Sequence, residues 1–262
     1  MDRIGWSFCI VTAPNNESIL EQSIEKIQLE FIADENYEII IIGNPSISNN
    51  RFLKNVKIIP FDEEIFILKT SNIKVAVKEK SLKRLFYRTG AICHKKNLSA
   101  ENASFDKLCI MHDYIGLEEG WKDGWNRFGN DWKVAMNIIL NKDNSRHRDW
   151  LNFNYPGVPG DENMWDGSCL MPYDITTKYM YISGTYFCVK KDFFAVNKLD
   201  EKLFWGEGED IEWSVRIQKH CTFKINLNST VKFLKLKCLD EPPYSSKWQE
   251  NANKFLEIIS KR

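Results

Sequence analysis

The sequence has no C-x-x-C pair, no excess of either charge, no G-x-G-x-x-G turn and no apolar run of membrane-spanning length. Each absence removes a class of function. Seven cysteines without close pairing exclude a zinc ribbon or a dithiol redox motif. Cys9, Cys109 and Cys188 lie inside apolar runs, where cysteine behaves as a small core residue. The odd count fits a reducing compartment better than secretion. Lys plus Arg equals Asp plus Glu at 36 each, which argues against a general nucleic-acid binder. The missing glycine fingerprint after the first strand argues against a dehydrogenase. The short apolar run near the N-terminus breaks at Pro14-Asn15-Asn16, too early for a signal peptide. These absences lead to the expectation of a soluble, cytoplasmic protein.

What is present is an ordinary globular composition, 43% hydrophobic and 27% charged, in a chain long enough for a substantial core. The stretch Lys107–Ile115 organises the rest. Its unbroken apolar run suits a strand buried on both faces, as in a parallel sheet. It ends in His112-Asp113-Tyr114, at the end of the strand where open α/β sheets bind ligands. A carboxylate and an imidazole there can hold a divalent cation or nucleotide hydroxyls. They equally suit a solvated strand-to-turn junction.

Upstream, Trp6–Thr12 reads as a first buried strand and Tyr37–Ile42 as a second. Between them Ile19, Leu20, Ile24, Ile27 and Phe31 recur at helical spacing, with Asn16 or Ser18 as the cap. This unit predicts a parallel strand pair. Val56–Phe61 is a third strand, and Glu63–Val77 a hairpin or excursion. Helical signals run from Lys78 to Ala103, broken at Gly90, with Ala91, Lys95, Leu98 and Asn102 facing the sheet. Downstream come a short helix from Gly120 to Gly129 and a strand from Trp132 to Leu140. A long polar loop covers Asn141–Tyr173, and one continuous strand Tyr179–Val189 follows, containing Gly184. An acidic turn at Phe204–Asp210 opens a helix, strand pattern covers Lys224–Leu239, and a terminal helix is expected from Ser245 to Arg262.

Two acidic sites end apolar segments: Asp113, and the cluster Glu207, Glu209 and Asp210. Carboxylates at a helix start cap free N–H groups and match the helix dipole. They also sit on a rigid element, as a general base must.

In order, these parts resemble the GT-A-fold glycosyltransferases, family 2 type, over residues 5–220. Thr12-Ala13-Pro14-Asn15 is similar to that family's nucleotide-contacting turn. Asn44 stands where many members have a base-binding Asp. Lys96-Asn97 resembles the Arg-Asn helix. His112-Asp113-Tyr114 occupies the place of the metal-binding acidic triplet. Ser183-Gly184-Thr185 resembles the strand near the donor sugar, and Gly208-Glu209-Asp210 the Glu-Asp motif that supplies the base. The resemblance implies an α/β fold with a central, mostly parallel mixed sheet flanked by helices. It implies one domain, with a nucleotide-binding half (1–115), an acceptor-binding half (116–240) and a C-terminal helix (241–262).

The implied activity is inverting transfer of a sugar from a nucleotide sugar to a glycan or lipid-linked acceptor, building a cell-surface glycan. Asp210, or secondarily Glu209, is the base. Thr12, Ala13, Asn15, Asn44, Lys96, His112 and Gly184 contact the donor. Asp113 with His112 holds Mn or Mg, and no nucleic acid is involved. Only one triplet position is a carboxylate, the base-binding Asp is absent, and Lys232, Lys235 and Lys237 stand where some members have a late His. Those lysines either neutralise the diphosphate or form a solvated strand face. The terminal helix either docks on the domain or touches the inner face of a membrane. Two other readings stay open. A sugar nucleotidyltransferase would need a glycine-rich phosphate loop, which the first turn lacks. A glycan- or partner-binding domain without transferase activity is favoured by the thin triplet and opposed by the Glu-Asp pair.

Overall fold

A computed structural model describes residues 3–12, 16–62, 65–66, 91–153, 168–203 and 208–235. Ala13 and Asn15 of the first turn lie outside the described residues. So do most of the 63–77 excursion, Arg88, Trp165, Trp205, Glu207, Lys237 and the terminal helix.

The first half follows the alternating pattern. Strand β1 (Arg3–Val11) leads to helix α1 (Glu17–Glu30), then β2 (Tyr37–Ile42) and β3 (Val56–Ile59). Ile39 to Ile42 are fully buried, which places β2 inside a sheet covered on both faces. Helix α1 buries Leu20, Ile24 and Ile27, spaced to share one face. Helix α2 (Ala91–Glu101) precedes the central strand β4 (Phe105–His112). Strands β3, β2, β1 and β4 are neighbours in parallel, with Val11 opposite Ile42 on one side and His112 on the other.

After the turn at Asp113-Tyr114 come β5 (Ile115–Leu117), α3 (Trp121–Phe128) and β6 (Val134–Leu140). Then follow β7 (Leu151–Phe153), β8 (Ser168–Leu170), β9 (Met180–Tyr181) and β10 (Tyr186–Lys190). Helices α4 (Lys191–Val196) and α5 (Glu209–Ile217) precede β11 (Lys224–Phe233). Among the described residues the main sheet has eight strands in the order β3-β2-β1-β4-β10-β6-β11-β5. Strand β10 is antiparallel to both β4 and β6. This reversal brings the start of β10 beside the end of β4, so chain from both halves meets where ligands of such sheets bind.

Three expectations need correction. The segment Tyr179–Val189 is two strands. Ile182–Thr185 leave the ladder, so β9 joins a small antiparallel sheet with β7 and β8 while β10 joins the main one. The Asn141–Tyr173 loop contributes β7 and β8 to that small sheet, because Leu151 and Phe153 bury against Tyr181 and Ile211. Helix α2 does not bury one face only: Lys95, Lys96, Asn97, Ser99 and Ala100 are all buried, since strands and the β10–α4 region enclose it. Trp213 packs its ring 5.0 Å from Phe187 inside the core. Helix α4 had no separate expectation.

Helix α3 approaches β11 so closely that a Cβ on Gly124 would lie 2.0 Å from the Asn228 carbonyl oxygen and 2.3 Å from Ser229 Oγ. Backbone cannot yield there as a side-chain tip can. Gly124→Ala is expected to cost about 2 kcal/mol, read as a lowered urea midpoint with an unchanged slope. A midpoint equal to wild type would show that α3 shifts freely.

Candidate active site

At the end of β1, Thr12 Oγ1 donates to Asp113 Oδ2 at 2.8 Å. The Asn16 side-chain amide donates to both Asp113 oxygens, at 3.3 and 3.1 Å. Asn16 is the N-cap of α1 yet makes no capping hydrogen bond, because its side chain is committed to Asp113. Asp113 is buried. His112 ends β4, with its ring 5.3 Å from Tyr114 and its backbone N–H on the Thr185 carbonyl at 3.1 Å. Lys235 lies over the Tyr114 ring at 4.4 Å, and Lys232 donates to Asn144 Oδ1 at 2.6 Å. The Asn44 amide donates to the Phe61 carbonyl at 3.0 Å, a bond that leaves its oxygen's acceptor capacity unused.

The second acidic site starts α5. Gly208 caps the helix with φ +76°, a left-handed conformation that glycine adopts without strain. Asp210 Oδ2 accepts the Gly184 N–H at 2.9 Å, and Oδ1 accepts the Ile211 N–H at 2.9 Å. Its carboxylate is partly exposed while its neighbour Glu209 is buried. Burial, and then the charge of Asp210, pushes the Glu209 carboxyl up to about 7, against the opposing pull of Lys96 and Arg148. Of the pair, Asp210 is the member open to solvent.

The two sites share one scaffold. Asp113 follows His112, whose N–H is bonded to Thr185; Gly184, before Thr185, holds Asp210. Both carboxylates therefore stand at the same end of the main sheet, around the junction of β4 and β10. Lys96 is buried and donates to the Gly184 carbonyl at 2.7 Å, on the Asp210 side of this junction.

Three residues near these carboxylates escaped the sequence reading. Lys95 is buried and donates to the Thr12 carbonyl at 2.7 Å. Asn16 was read only as a cap. Arg148 donates to the Tyr181 hydroxyl at 3.0 Å and adds positive charge beside Glu209. The adjacent pair Lys95-Lys96 beside the apolar start Ala91-Ile92-Cys93 was the available signal for Lys95. Arg148 had none, since its place depends on the small sheet.

Among the described residues no three His, Cys, Asp or Glu side chains gather to form a metal cage. Asp113 already accepts hydrogen bonds from Thr12 and Asn16, and its remaining lone pairs fit it to be a single carboxylate ligand of a hard cation. The described residues contain no helix long and apolar enough to cross a membrane.

No family model matches this sequence, and no curated protein does. Solved structures do resemble it. GalNAc-T7, crystallised with UDP, GalNAc and Mn2+, superposes with a TM-score of 0.59 at 17% identity, over 97% of this chain and 48% of that one. TarS of S. aureus gives 0.56 at 11% identity, over 97% of this chain and 43% of that one. TarS 1-349 gives 0.54 at 11% identity, over 98% and 64%. This chain thus spans less than two thirds of each. At such identities the likeness speaks for architecture alone, and the curled, mostly parallel sheet agrees with it: the chain has the GT-A fold of the glycosyltransferases.

Proposed function

We propose that the chain transfers a sugar, with inversion, from a nucleotide sugar to a hydroxyl of a glycan or lipid-linked acceptor. The observation that carries this reading is the meeting of Asp113 and Asp210 at one end of the sheet through the Thr185–Gly184 junction. Residues 1–115 would bind the nucleotide and 116–240 the acceptor. Asp210, held by Gly184 at the tip of a rigid helix, takes the proton of the attacking hydroxyl. Asp113, fixed by Thr12 and Asn16, with His112 beside it, would hold a divalent cation shared with the diphosphate. A bound cation would supply Lewis-acid stabilisation of the leaving diphosphate. Asn44 offers an amide oxygen to a base N–H. The presence of UDP and Mn2+ in the GalNAc-T7 structure supports the choice of probes.

A thermal-shift panel of UDP, GDP, dTDP, CDP and ADP, each with and without Mn2+, tests the reading. One nucleotide present at about 100 times its Kd should stabilise the protein by about 2.7 kcal/mol. Asp113→Ala should remove the Mn2+-dependent part of that gain. A flat response to the whole panel would return the chain to the binding-domain reading.

A further inference from the structure

Helix α2 presents two consecutive lysines to the site, and both are buried. Each grips a backbone carbonyl of a residue that itself grips a carboxylate. Lys95 donates to Thr12, whose hydroxyl donates to Asp113. Lys96 donates to Gly184, whose N–H donates to Asp210. Successive helix positions point about 100° apart, so one turn reaches two different strands.

The Lys96 arrangement is the tighter. A Cβ built on Gly184 would lie 3.3 Å from Asp210 Oδ2, 3.3 Å from Asp210 Cβ and 3.3 Å from Lys96 Nζ. The ammonium and the carboxylate thus flank one glycine that leaves room for both. Resemblance placed Lys96 at the nucleotide, but its charge sits against the other acidic site. A buried ammonium is costly unless compensated; here the Gly184 carbonyl accepts from it and its charge acts on Glu209.

We propose that Lys96 is a positioning residue for the general base: it fixes Asp210 through the Gly184 backbone and balances the charge of the Glu209–Asp210 pair. The catalytic assignment of Asp210 rests on the transferase reading; the control of the pair by Lys96 is tested without any substrate. Among the described residues, the charged and titratable groups acting on Glu209 are Asp210 on its own helix, Lys96 and Cys93 on α2, and Arg148 on the segment after β6. Among these groups, Lys96 also bonds the carbonyl of Gly184, the residue whose N–H holds Asp210.

The test is carboxyl-carbon NMR titration of Glu209 in the full chain, with the resonance assigned by its loss in Glu209→Gln. Lys96→Met should raise the Glu209 midpoint by about one pH unit, the scale of losing one nearby opposite charge. Lys96→Arg should return it to within a few tenths of wild type. Lys95→Met, which removes an equal charge from the same helix, should leave it in place. Gly184→Ala should raise it as well, by displacing the Lys96 ammonium, the flexible tip that the new Cβ would meet at 3.3 Å. That variant needs no unusual backbone, because Gly184 is not among the residues with positive φ. If Lys96→Met does not fold, Lys96→Gln gives the same reading with a polar replacement.

The proposal is overturned if the midpoint stays put in Lys96→Met and Gly184→Ala, or if Lys95→Met moves it equally. The nucleotide panel, run on the wild type alongside, judges the transferase reading separately: no nucleotide response combined with a shifted midpoint would retain Lys96 as the partner of the acidic pair and reject only the transfer reaction.

Discussion

Asp210→Asn is expected to lower sugar transfer by about 10²- to 10⁴-fold, the usual contribution of a positioned general base. The amide keeps the shape of the carboxylate, and its oxygen can still accept the Gly184 N–H that holds Asp210 in place. What it loses is the ability to take a proton from the acceptor hydroxyl. Nucleotide affinity should therefore stay within about twofold of wild type, because the groups assigned to the nucleotide lie across the junction at Thr12, Asn44 and Asp113. The measurement is product formation with the donor picked out by the nucleotide panel, paired with calorimetric Kd values. A variant retaining more than a tenth of the wild-type rate would remove Asp210 from the role of base. A variant losing both transfer and nucleotide binding would show that the two acidic sites are not functionally separable.

Glu209→Gln is expected to change how stability depends on pH. In the folded protein the Glu209 carboxyl titrates near pH 7, against 4.5 for an unperturbed Glu. The folded state therefore holds its proton more tightly than the unfolded state does. Wild-type stability should then fall as pH rises from about 4.5 through about 7, and the loss should be complete above that window. A gap of about 2.5 pH units corresponds to ~3 kcal/mol. Glutamine cannot ionise, so the variant escapes the loss. Relative to wild type, Glu209→Gln should gain ~3 kcal/mol between pH 4.5 and pH 8, or about 5–10 °C in Tm for a domain of this size. Parallel Tm curves for the two proteins over that range would mean that the Glu209 carboxyl is not held neutral by its surroundings. The same pair gives the site a division of labour. Burial keeps Glu209 close to neutral, and partial exposure leaves its neighbour Asp210 open to a substrate.

Much of this architecture was legible in local pattern. The unbroken Ile39–Ile42 run announced a strand covered on both faces, and Tyr37–Ile42 is the strand observed. The helical spacing of Leu20, Ile24 and Ile27 announced the buried stripe of α1. His112-Asp113 after an apolar run was readable as the mouth of an α/β sheet, and the glycine before Glu209-Asp210 as a helix start. These features depend on residues close together in the chain, where backbone sterics and side-chain periodicity act directly.

Other parts were not readable, because their cause lies far away in sequence. Tyr179–Val189 looks like a single strand until the short sheet of β7 and β8 claims its first half and the main sheet its second. Asn16 looks like an ordinary cap until Asp113, 97 residues away, takes its amide. Lys95 reads as one residue of a sheet-facing stripe and Lys96 as a donor contact until α2 is enclosed on several sides and both lysines are buried.

The sequence by itself determined the class of fold, the order of its parts and the two acidic stations, since each follows from local periodicity and turn chemistry. Only the tertiary structure decided which carboxylate of the pair is buried, which lysine serves which station, and that both stations meet at the β4–β10 junction. Burial and charge pairing are set by groups that the chain brings together from distant positions, and no local pattern encodes their separation in space.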